Sequence, residues 1–263
     1  MSKEIPGIRI ELLTFGNELL IGEIVNTNAS WLSKELTQLG THVTRITTGS
    51  DDLDDLENVF KEAFNREPKI IITSGGLGPT WDDRTLEGLS NAVGDEKIQN
   101  KDAYGYLEKK YAEFNIEMSK QAEKMALFPI NGKALLNPVG TAPGCYYHYN
   151  KKIHIFVLPG VPKEMKGMFE KHVKPFIQER YTEGTNFYQE KFEVTNMYES
   201  KLAAVTSKLT KEFPEIYIKS HPDKPGLILM HITAYGDEKT LSLLQNVTKN
   251  LKVEIEKIGG KIS

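Results

Sequence analysis

Apolar and polar positions repeat in three similar blocks over the first 93 residues of the chain. Each block opens with an apolar run rich in β-branched residues, which is typical of a buried strand, and continues with apolar residues at helical spacing. The three runs cover residues 8–15, 41–48 and 70–73. Repeated strand–loop–helix units predict right-handed crossovers and a mostly parallel sheet with helices on its faces.

The pattern continues less regularly beyond residue 93. Residues 100–127 are expected to be helical, residues 129–133 to form a turn-rich stretch, and residues 153–158 to form another buried strand. A helix should follow with Pro162 in its first turn, where the missing N–H is harmless, and Pro175 should kink or end it. These elements predict a first α/β domain over residues 1–183.

A polar stretch at residues 182–185 marks the expected boundary of a second domain, residues 184–263. The pattern there predicts a small α+β domain. Its expected elements are strand 188–195, helix 200–213 with Ser200 as N-cap, strand 215–220, hairpin connection 221–226, strand 227–235 and helix 237–258. No motif in this second domain suggests chemistry.

A glycine-rich loop follows the third strand, with Gly75, Gly76 and Gly78 closely spaced ahead of a predicted helix. A strand-to-helix turn of this kind brings backbone N–H groups close to a bound anion, and the helix dipole favours negative charge there. Asp82 and Asp83 are expected in the first turn of that helix. Because phosphates and carboxylates repel each other unless a cation lies between them, the combination suggests a phosphate–metal site.

A purely structural interpretation of the same loop stays open at this point. Thr80 and Asp83 have the spacing of a capping box, so the Asp83 carboxylate could simply accept the Thr80 N–H. Asp82 near a helix start would be ordinary compensation of the helix dipole. The glycines could serve only a sharp turn and close packing of the helix on the sheet.

Three polar segments follow the carboxyl ends of predicted strands: Glu18, Asp51 and the loop of residues 75–83. Ligands of open parallel sheets gather at these ends, so we expect the three segments to meet at one edge of the sheet. This convergence argues more strongly for a site than any one motif. For Asp51 we expect mainly a structural role, as the cap of the following helix.

Composition narrows the class of protein. The net charge is −3 with a pI near 6.1, so no overall basic charge points to nucleic acid or to a membrane surface. Cys145 is the only cysteine, which excludes an internal disulfide, and no apolar run approaches the roughly 20 residues of a membrane span. We expect a cytoplasmic protein with a small-molecule partner, and a homodimer as the commonest form of a soluble oligomer.

Five stretches resemble the CinA (competence/damage-inducible) family, in the same order as in that family. They are GNELLIGEIVNTN at 16–28, GSDD at 49–52, TSGGLGPTWDDRT at 73–85, LNPVGTAPG at 136–144 and LPGVPKEM at 158–165. The resemblance places the first domain in the wider MoaB/MogA-like molybdopterin-binding superfamily and likens the last domain to the CinA middle domain. Since the sequence stops at Ser263, we do not expect the C-terminal nicotinamide-mononucleotide deamidase domain or its activity.

The resemblance implies a three-layer αβα fold for the nucleotide-binding domain. It further implies hydrolysis of the pyrophosphate bond of ADP-ribose, or of a related nucleotide diphosphate, to AMP and ribose 5-phosphate. It also implies a divalent metal ion, which could be magnesium, manganese, cobalt or nickel. The molybdopterin branch usually has SGGTG where this chain has Ser74-Gly75-Gly76-Leu77-Gly78. Leu77 therefore favours the CinA-like branch.

Candidate site residues follow from the motifs. Asp82 and Asp83 are expected to bind the metal, and Glu18 to be a further ligand or the base that activates water. Gly75, Gly76, Gly78 and Thr80 would hold a phosphate. By their places in the matching motifs, the expected substrate contacts are Asn28, Asn137, Gly140, Thr141 and Gly160. Lys163 could pair with a phosphate or be an ordinary surface lysine, and Arg84 could clamp a phosphate.

Two other functions remain open. The same loop could serve a protein that binds or adenylylates molybdopterin in molybdenum cofactor biosynthesis, which Leu77 disfavours. A non-catalytic nucleotide-sensing module is the second, with the small last domain recruiting a partner. Carboxylates at positions 18, 82 and 83 disfavour it, because a pure binder has little need for negative charge beside a phosphate.

Overall fold

The computed structural model describes residues 7–181 and 186–263. They form two compact units, which are described separately. The larger unit holds residues 8–37 and 42–181, and the smaller consists chiefly of residues 186–263. The expected domain boundary at residues 183 and 184 lies outside the described residues.

The larger unit alternates strands and helices along the chain. Its strands are β1 (Arg9–Phe15), β2 (His42–Gly49), β3 (Ile70–Ser74), β4 (Lys97–Gln99), β5 (Leu127–Pro129), β6 (Lys133–Leu135), β7 (Gly144–Tyr149) and β8 (Ile153–Leu158). Its helices are α1 (Asn17–Leu20), α2 (Thr27–Gln38), α3 (Leu53–Asn65), α4 (Thr85–Val93), α5 (Lys101–Glu113), α6 (Lys120–Glu123), a 3₁₀ turn (Lys124–Ala126), α7 (Pro162–Met168), a π-helical turn (Phe169–Val173) and α8 (Lys174–Tyr181).

The main sheet has the strand order β2-β1-β3-β8-β7-β6. Pairings among the first four strands are parallel, and β7 and β6 are antiparallel to their neighbours. The chain leaves β1 towards β2 on one side and later returns to β3 on the other. That change of direction creates a crevice at the carboxyl ends of β1 and β3, where ligands of such sheets bind. The predicted mostly parallel sheet is confirmed.

Helices cover both faces of this sheet. On one face, apolar residues of α3, α4 and α5 join alternate residues of β1, β3 and β8 in a single buried cluster. On the other face, Leu32 and Leu36 of α2 and Met165 of α7 are fully buried, and Trp31 packs edge-on against Phe169 at 5.3 Å between ring centroids. Every residue of β3 and of β8 is buried, which explains why both strands are continuous apolar runs.

Several predicted elements of the larger unit differ in the structure. The expected helix over residues 100–127 is interrupted after α5, where Asn115 adopts a left-handed conformation with φ 54° that ends the helix. Strands β6 and β7 flank a loop in a segment predicted without strands. The helical run continues through Pro175, because the π-helical turn immediately before it changes the hydrogen-bond spacing that the proline ring would otherwise disrupt.

The smaller unit is an antiparallel sheet with two helices. Its elements are β9 (Asn186–Thr195), α9 (Glu199–Glu212), β10 (Tyr217–Lys224), β11 (Leu227–Gly236), α10 (Glu238–Lys257) and β12 (Lys261–Ile262), in the sheet order β10-β11-β9-β12. The predicted small α+β domain is confirmed. The N-cap of α9 is Tyr198, so the prediction of Ser200 was wrong, and β10 extends to Lys224 through most of the expected hairpin connection.

Among the described residues, no helix has both the length and the apolar character that crossing a membrane would require.

Candidate functional site

The glycine loop after β3 is shaped by two residues in the left-handed region. Gly75 has φ 115° and Gly76 has φ 65°, which side chains other than glycine rarely adopt. A Cβ atom would lie 2.3 Å from the Phe15 carbonyl oxygen at Gly75, and 2.1 Å from Thr85 Oγ1 at Gly76. The Thr85 hydroxyl donates to the Gly75 carbonyl at 2.9 Å, which ties the loop to the start of α4.

Thr80 lies between two carboxylates in the same loop. Its Oγ1 is 2.5 Å from Asp82 Oδ1 and 2.5 Å from Asp83 Oδ2, and its N–H donates to Asp83 Oδ2 at 2.9 Å. A hydroxyl has a single proton, so it can donate to only one of the two carboxylates at a time. Hydrogen bonding from Thr80 holds the pKa of Asp82 below its usual value.

The loop ends later than the sequence predicted. Helix α4 begins at Thr85 with Arg84 as its N-cap, so placing Asp82 and Asp83 in its first turn was wrong. The reason is that Thr80 and Asp83 are bonded to each other in a separate turn, where the Asp83 N–H also donates to the Thr80 carbonyl at 3.2 Å. The capping-type contact therefore exists, but it lies ahead of the helix and leaves both carboxylates facing the crevice.

Asp51 also belongs to this crevice. Asp52, and not Asp51, caps α3 by accepting from the N–H groups of Asp54 and Asp55, so the expected capping role of Asp51 was wrong. Its Oδ2 accepts instead from the Asn17 N–H at 2.9 Å. Burial raises the pKa of Asp51, and the negative charges of Glu18, Asp82 and Asp83 raise it further, while the Asn17 N–H lowers it.

A cavity of about 660 Å³ opens at this edge of the sheet. The three polar segments that follow β1, β2 and β3 all contribute to its wall. The candidate residues that line it are Glu18, Asn28, Gly75, Gly76, Gly78, Thr80, Asp82, Asp83, Thr141 and Gly160, together with Asp51. Asn137, Gly140 and Lys163 are not among its lining residues.

Asn137 has a structural contact for every hydrogen-bonding position of its amide. Its Nδ2 donates to the Ala142 carbonyl at 3.0 Å and to Glu164 Oε2 at 2.7 Å, and its Oδ1 accepts the N–H groups of Val139 and Gly140 at 3.0 and 2.9 Å. The side chain is only 2% exposed. Asn137 therefore holds its own loop together, which the motif alone could not reveal.

The remaining candidates are placed as follows. Asn28 Nδ2 donates to Ser74 Oγ at 2.9 Å and to the Gly160 carbonyl at 2.7 Å, so Asn28 joins the end of β3 to the loop after β8. Lys163 is exposed on α7. Arg84 makes two hydrogen bonds to Glu87, at 3.1 and 3.2 Å, on the far side of the glycine loop.

Comparison with known proteins identifies the family of the larger unit. The family described as "Probable molybdopterin binding domain" matches residues 11–179, which is nearly the whole larger unit. The chain belongs to this family. A Saccharolobus islandicus protein is 38% identical over 257 residues, covering 96% of each sequence. CinA from Thermoplasma acidophilum has a solved structure that is 38% identical, with a TM-score of 0.59 over 64% of this chain and 98% of that one. The larger unit is thus a CinA-like molybdopterin-binding-type domain.

Glu164 is a cavity-lining residue of this CinA-like domain that the sequence interpretation missed. It is the third residue of α7, and its Oε2 accepts the hydrogen bond from Asn137. The signal that could have found it is its position inside the LPGVPKEM stretch, one turn after a glycine that faces the glycine loop. A Cβ atom at Gly160 would lie 3.3 Å from the Gly75 Cα, so α7 begins beside that loop.

The donor chemistry of the site fits a hard divalent cation only in part. Among the described residues, no group of three or more histidine, cysteine, aspartate or glutamate side chains could hold a metal ion by itself. Asp82 and Asp83 nevertheless share the Thr80 hydroxyl, and although the Lys124 charge lies nearby, neither forms a salt bridge within the part of the chain that the structure describes. Magnesium is commonly held by one or two carboxylates together with substrate phosphates. The two aspartates fit an ion of that kind, completed by a phosphate ligand.

Proposed function

We propose that the protein hydrolyses the pyrophosphate bond of ADP-ribose, or of a related nucleotide diphosphate, to AMP and ribose 5-phosphate with the help of a divalent metal ion. The observation that carries the proposal is the convergence of Glu18, Asp51, Asp82 and Asp83 on the cavity formed by the glycine loop. That convergence supports phosphate and cation chemistry at this cavity. The choice of ADP-ribose rests on the resemblance to the CinA family.

Each residue's place in the cavity would set its role in the reaction. Backbone N–H groups of the glycine loop would hold a phosphate beside the start of α4. A divalent ion held by Asp82 and Asp83 would neutralise phosphate charge and polarise the phosphoryl group. Asp51, whose pKa is raised by burial, would act as the base, with Glu18 beside it. The attacking water would form the new bond to phosphorus and lose its proton to this carboxylate, while the bridging P–O bond breaks.

A second candidate function is binding of molybdopterin, because the family that matches residues 11–179 is described by that ligand. The same glycine loop would then bind the terminal phosphate of the pterin, and adenylylation would use the same carboxylates. A non-catalytic nucleotide sensor is the third candidate. It differs from both in retaining a nucleotide without converting it.

The test is product analysis with the full chain, incubated with ADP-ribose and magnesium, manganese, cobalt or nickel in turn. We expect metal-dependent AMP and ribose 5-phosphate. Asp82→Asn and Asp83→Asn should reduce the rate roughly 100-fold or more, the scale on which losing a charge-stabilising group acts. Asp102→Asn, an exposed aspartate on α5, is the matched control and should leave the rate unchanged.

Absence of product with every metal would overturn the hydrolase proposal. Calorimetry then separates the other two candidates. Retention of ADP-ribose without turnover would favour the sensor, and binding of molybdopterin without binding of ADP-ribose would favour the pterin protein.

A further inference from the structure

Hydrogen bonds fix the position of the Glu164 carboxylate in the first turn of α7. Its Oε2 accepts from Asn137 Nδ2 at 2.7 Å, and Asn137 is itself fixed by three further hydrogen bonds within its loop. The Tyr106 hydroxyl lies 2.6 Å from the Asn137 carbonyl oxygen and 2.7 Å from the Gly140 carbonyl oxygen, so it also stabilises this loop. The carboxylate therefore has a defined position at the cavity wall.

Gly140 shows that the loop is shaped around this carboxylate. A Cβ atom at Gly140 would lie 2.0 Å from Glu164 Cδ and 2.2 Å from its Oε1, so any larger residue would push the carboxylate away. Among the described residues, no lysine, arginine or histidine forms an ion pair with Glu164. Its charge thus has no structural counterpart, although one oxygen is anchored and the group lines the cavity.

Building on the proposed nucleotide site, we propose that Glu164 accepts hydrogen bonds from the hydroxyl groups of a ribose and so selects nucleotides with an intact ribose diol. A carboxylate can only accept hydrogen bonds, and it repels phosphate. Beside a phosphate site this carboxylate can therefore bind hydroxyl donors. Acidic residues bind ribose hydroxyls in other α/β nucleotide-binding folds.

The position of Glu164 favours the ribose over the base. Helix α7 begins beside the glycine loop, where Gly160 approaches Gly75. The ribose is bonded directly to the phosphate that this loop would hold, whereas the base lies one sugar further away. ADP-ribose contains two riboses, one in AMP and one in ribose 5-phosphate, and the test distinguishes them.

The experiment measures binding by calorimetry with AMP and ribose 5-phosphate, each compared with its 2-deoxy and 3-deoxy forms. In one of the two series, wild-type protein should bind the intact ribose roughly 10- to 100-fold more tightly, as expected for a hydrogen bond to a charged acceptor. Glu164→Gln should reduce that ratio to about twofold or less. Glu170→Gln changes an exposed carboxylate in the adjoining helical turn and should keep the full ratio.

Gln at position 164 keeps an oxygen that can accept from Asn137, so the loop should remain folded, which thermal unfolding checks. Glu164→Asp provides a second variant, since it keeps the charge but withdraws it from the ribose, and it should also lose the discrimination. Equal affinity of wild type for intact and deoxy sugars in both series, or unchanged discrimination in Glu164→Gln, would overturn the inference.

The hydrolysis assay separates this inference from the proposed function. Turnover of ADP-ribose without sugar discrimination would overturn the role of Glu164 alone. Sugar discrimination without turnover would support Glu164 and overturn the hydrolase.

Discussion

Replacing Asn137 with alanine separates two roles that its motif position allows. If Asn137 only contacted substrate, its replacement would weaken substrate binding and leave the fold intact. The structure instead gives the Asn137 amide four hydrogen bonds within the protein, at 3.0, 2.7, 3.0 and 2.9 Å. Asn137→Ala should therefore lower the free energy of unfolding of the larger unit.

The magnitude follows from the kinds of hydrogen bond. A neutral hydrogen bond contributes about 1 kcal/mol, and a bond to a charged group such as the Glu164 carboxylate contributes about 2 kcal/mol. Alanine also leaves the N–H groups of Val139 and Gly140 without their acceptor in a position that is 2% exposed. We expect a loss of about 5 kcal/mol, which is large for a single substitution.

Tryptophan fluorescence in a urea titration provides the assay. Trp31 and Trp81 are the only tryptophans in the sequence, and both belong to the larger unit, so the signal follows that unit alone. Asn58→Ala, on the exposed side of α3, is the control and should stay within about 0.5 kcal/mol of wild type. An Asn137→Ala protein that keeps wild-type stability but loses nucleotide affinity would refute the reasoning.

Two further predictions concern buried charge in the same unit. Glu11 is 3% exposed and accepts three hydrogen bonds from Arg66 at 2.8 to 3.0 Å. Arg66→Met should therefore lower the free energy of unfolding by about 3–5 kcal/mol in the urea titration, and adding Glu11→Gln should recover part of that loss. A loss below about 1 kcal/mol in Arg66→Met would contradict this. Burial lowers the pKa of His154 from 6.5 to about 4, with help from the charges of His148, Lys69 and Arg180. The neutral ring therefore contributes its full stability above pH 6.5, and this contribution is lost as the pH falls to 4. Between these pH values the free energy of unfolding of wild type should fall by about 3 kcal/mol more than that of His154→Gln, and equal pH profiles of the two proteins would contradict this.

The fold was predictable where one physical cause dominates the sequence. Strands β3 and β8 are buried on both faces, so their apolar runs identify them without any tertiary information. Strands β6 and β7 were missed because β6 has only three residues, and the GCYYHY sequence of β7 mixes small, aromatic and polar side chains. Their pairing with each other and with β8 is a tertiary effect that local pattern does not record.

The candidate site was predictable in topology and not in detail. Three carboxyl ends of parallel strands must lie at one edge of a sheet, which is why Glu18, Asp51 and the glycine loop could be expected together. Two neighbouring aspartates, Asp51 and Asp52, were each able to cap α3, and only the backbone path decides that Asp52 does so. The sequence therefore could not show that Asp51 is free to face the cavity.

Hydrogen-bonding capacity separates the two asparagines that the motifs placed together. The amide of Asn137 has no position left for a ligand. Asn28 uses both Nδ2 hydrogens within the protein, but its buried Oδ1 has no partner among the described residues, and it lines the cavity. A buried acceptor without a donor carries a cost, and because this oxygen has less than 1 Å² of accessible surface, a ligand could relieve that cost only if the Asn28 side chain turned. Among the described residues no cation pairs with the Glu164 carboxylate either, so Glu164 is the accessible acceptor beside the glycine loop that suits the hydroxyl donors of the proposed nucleotide.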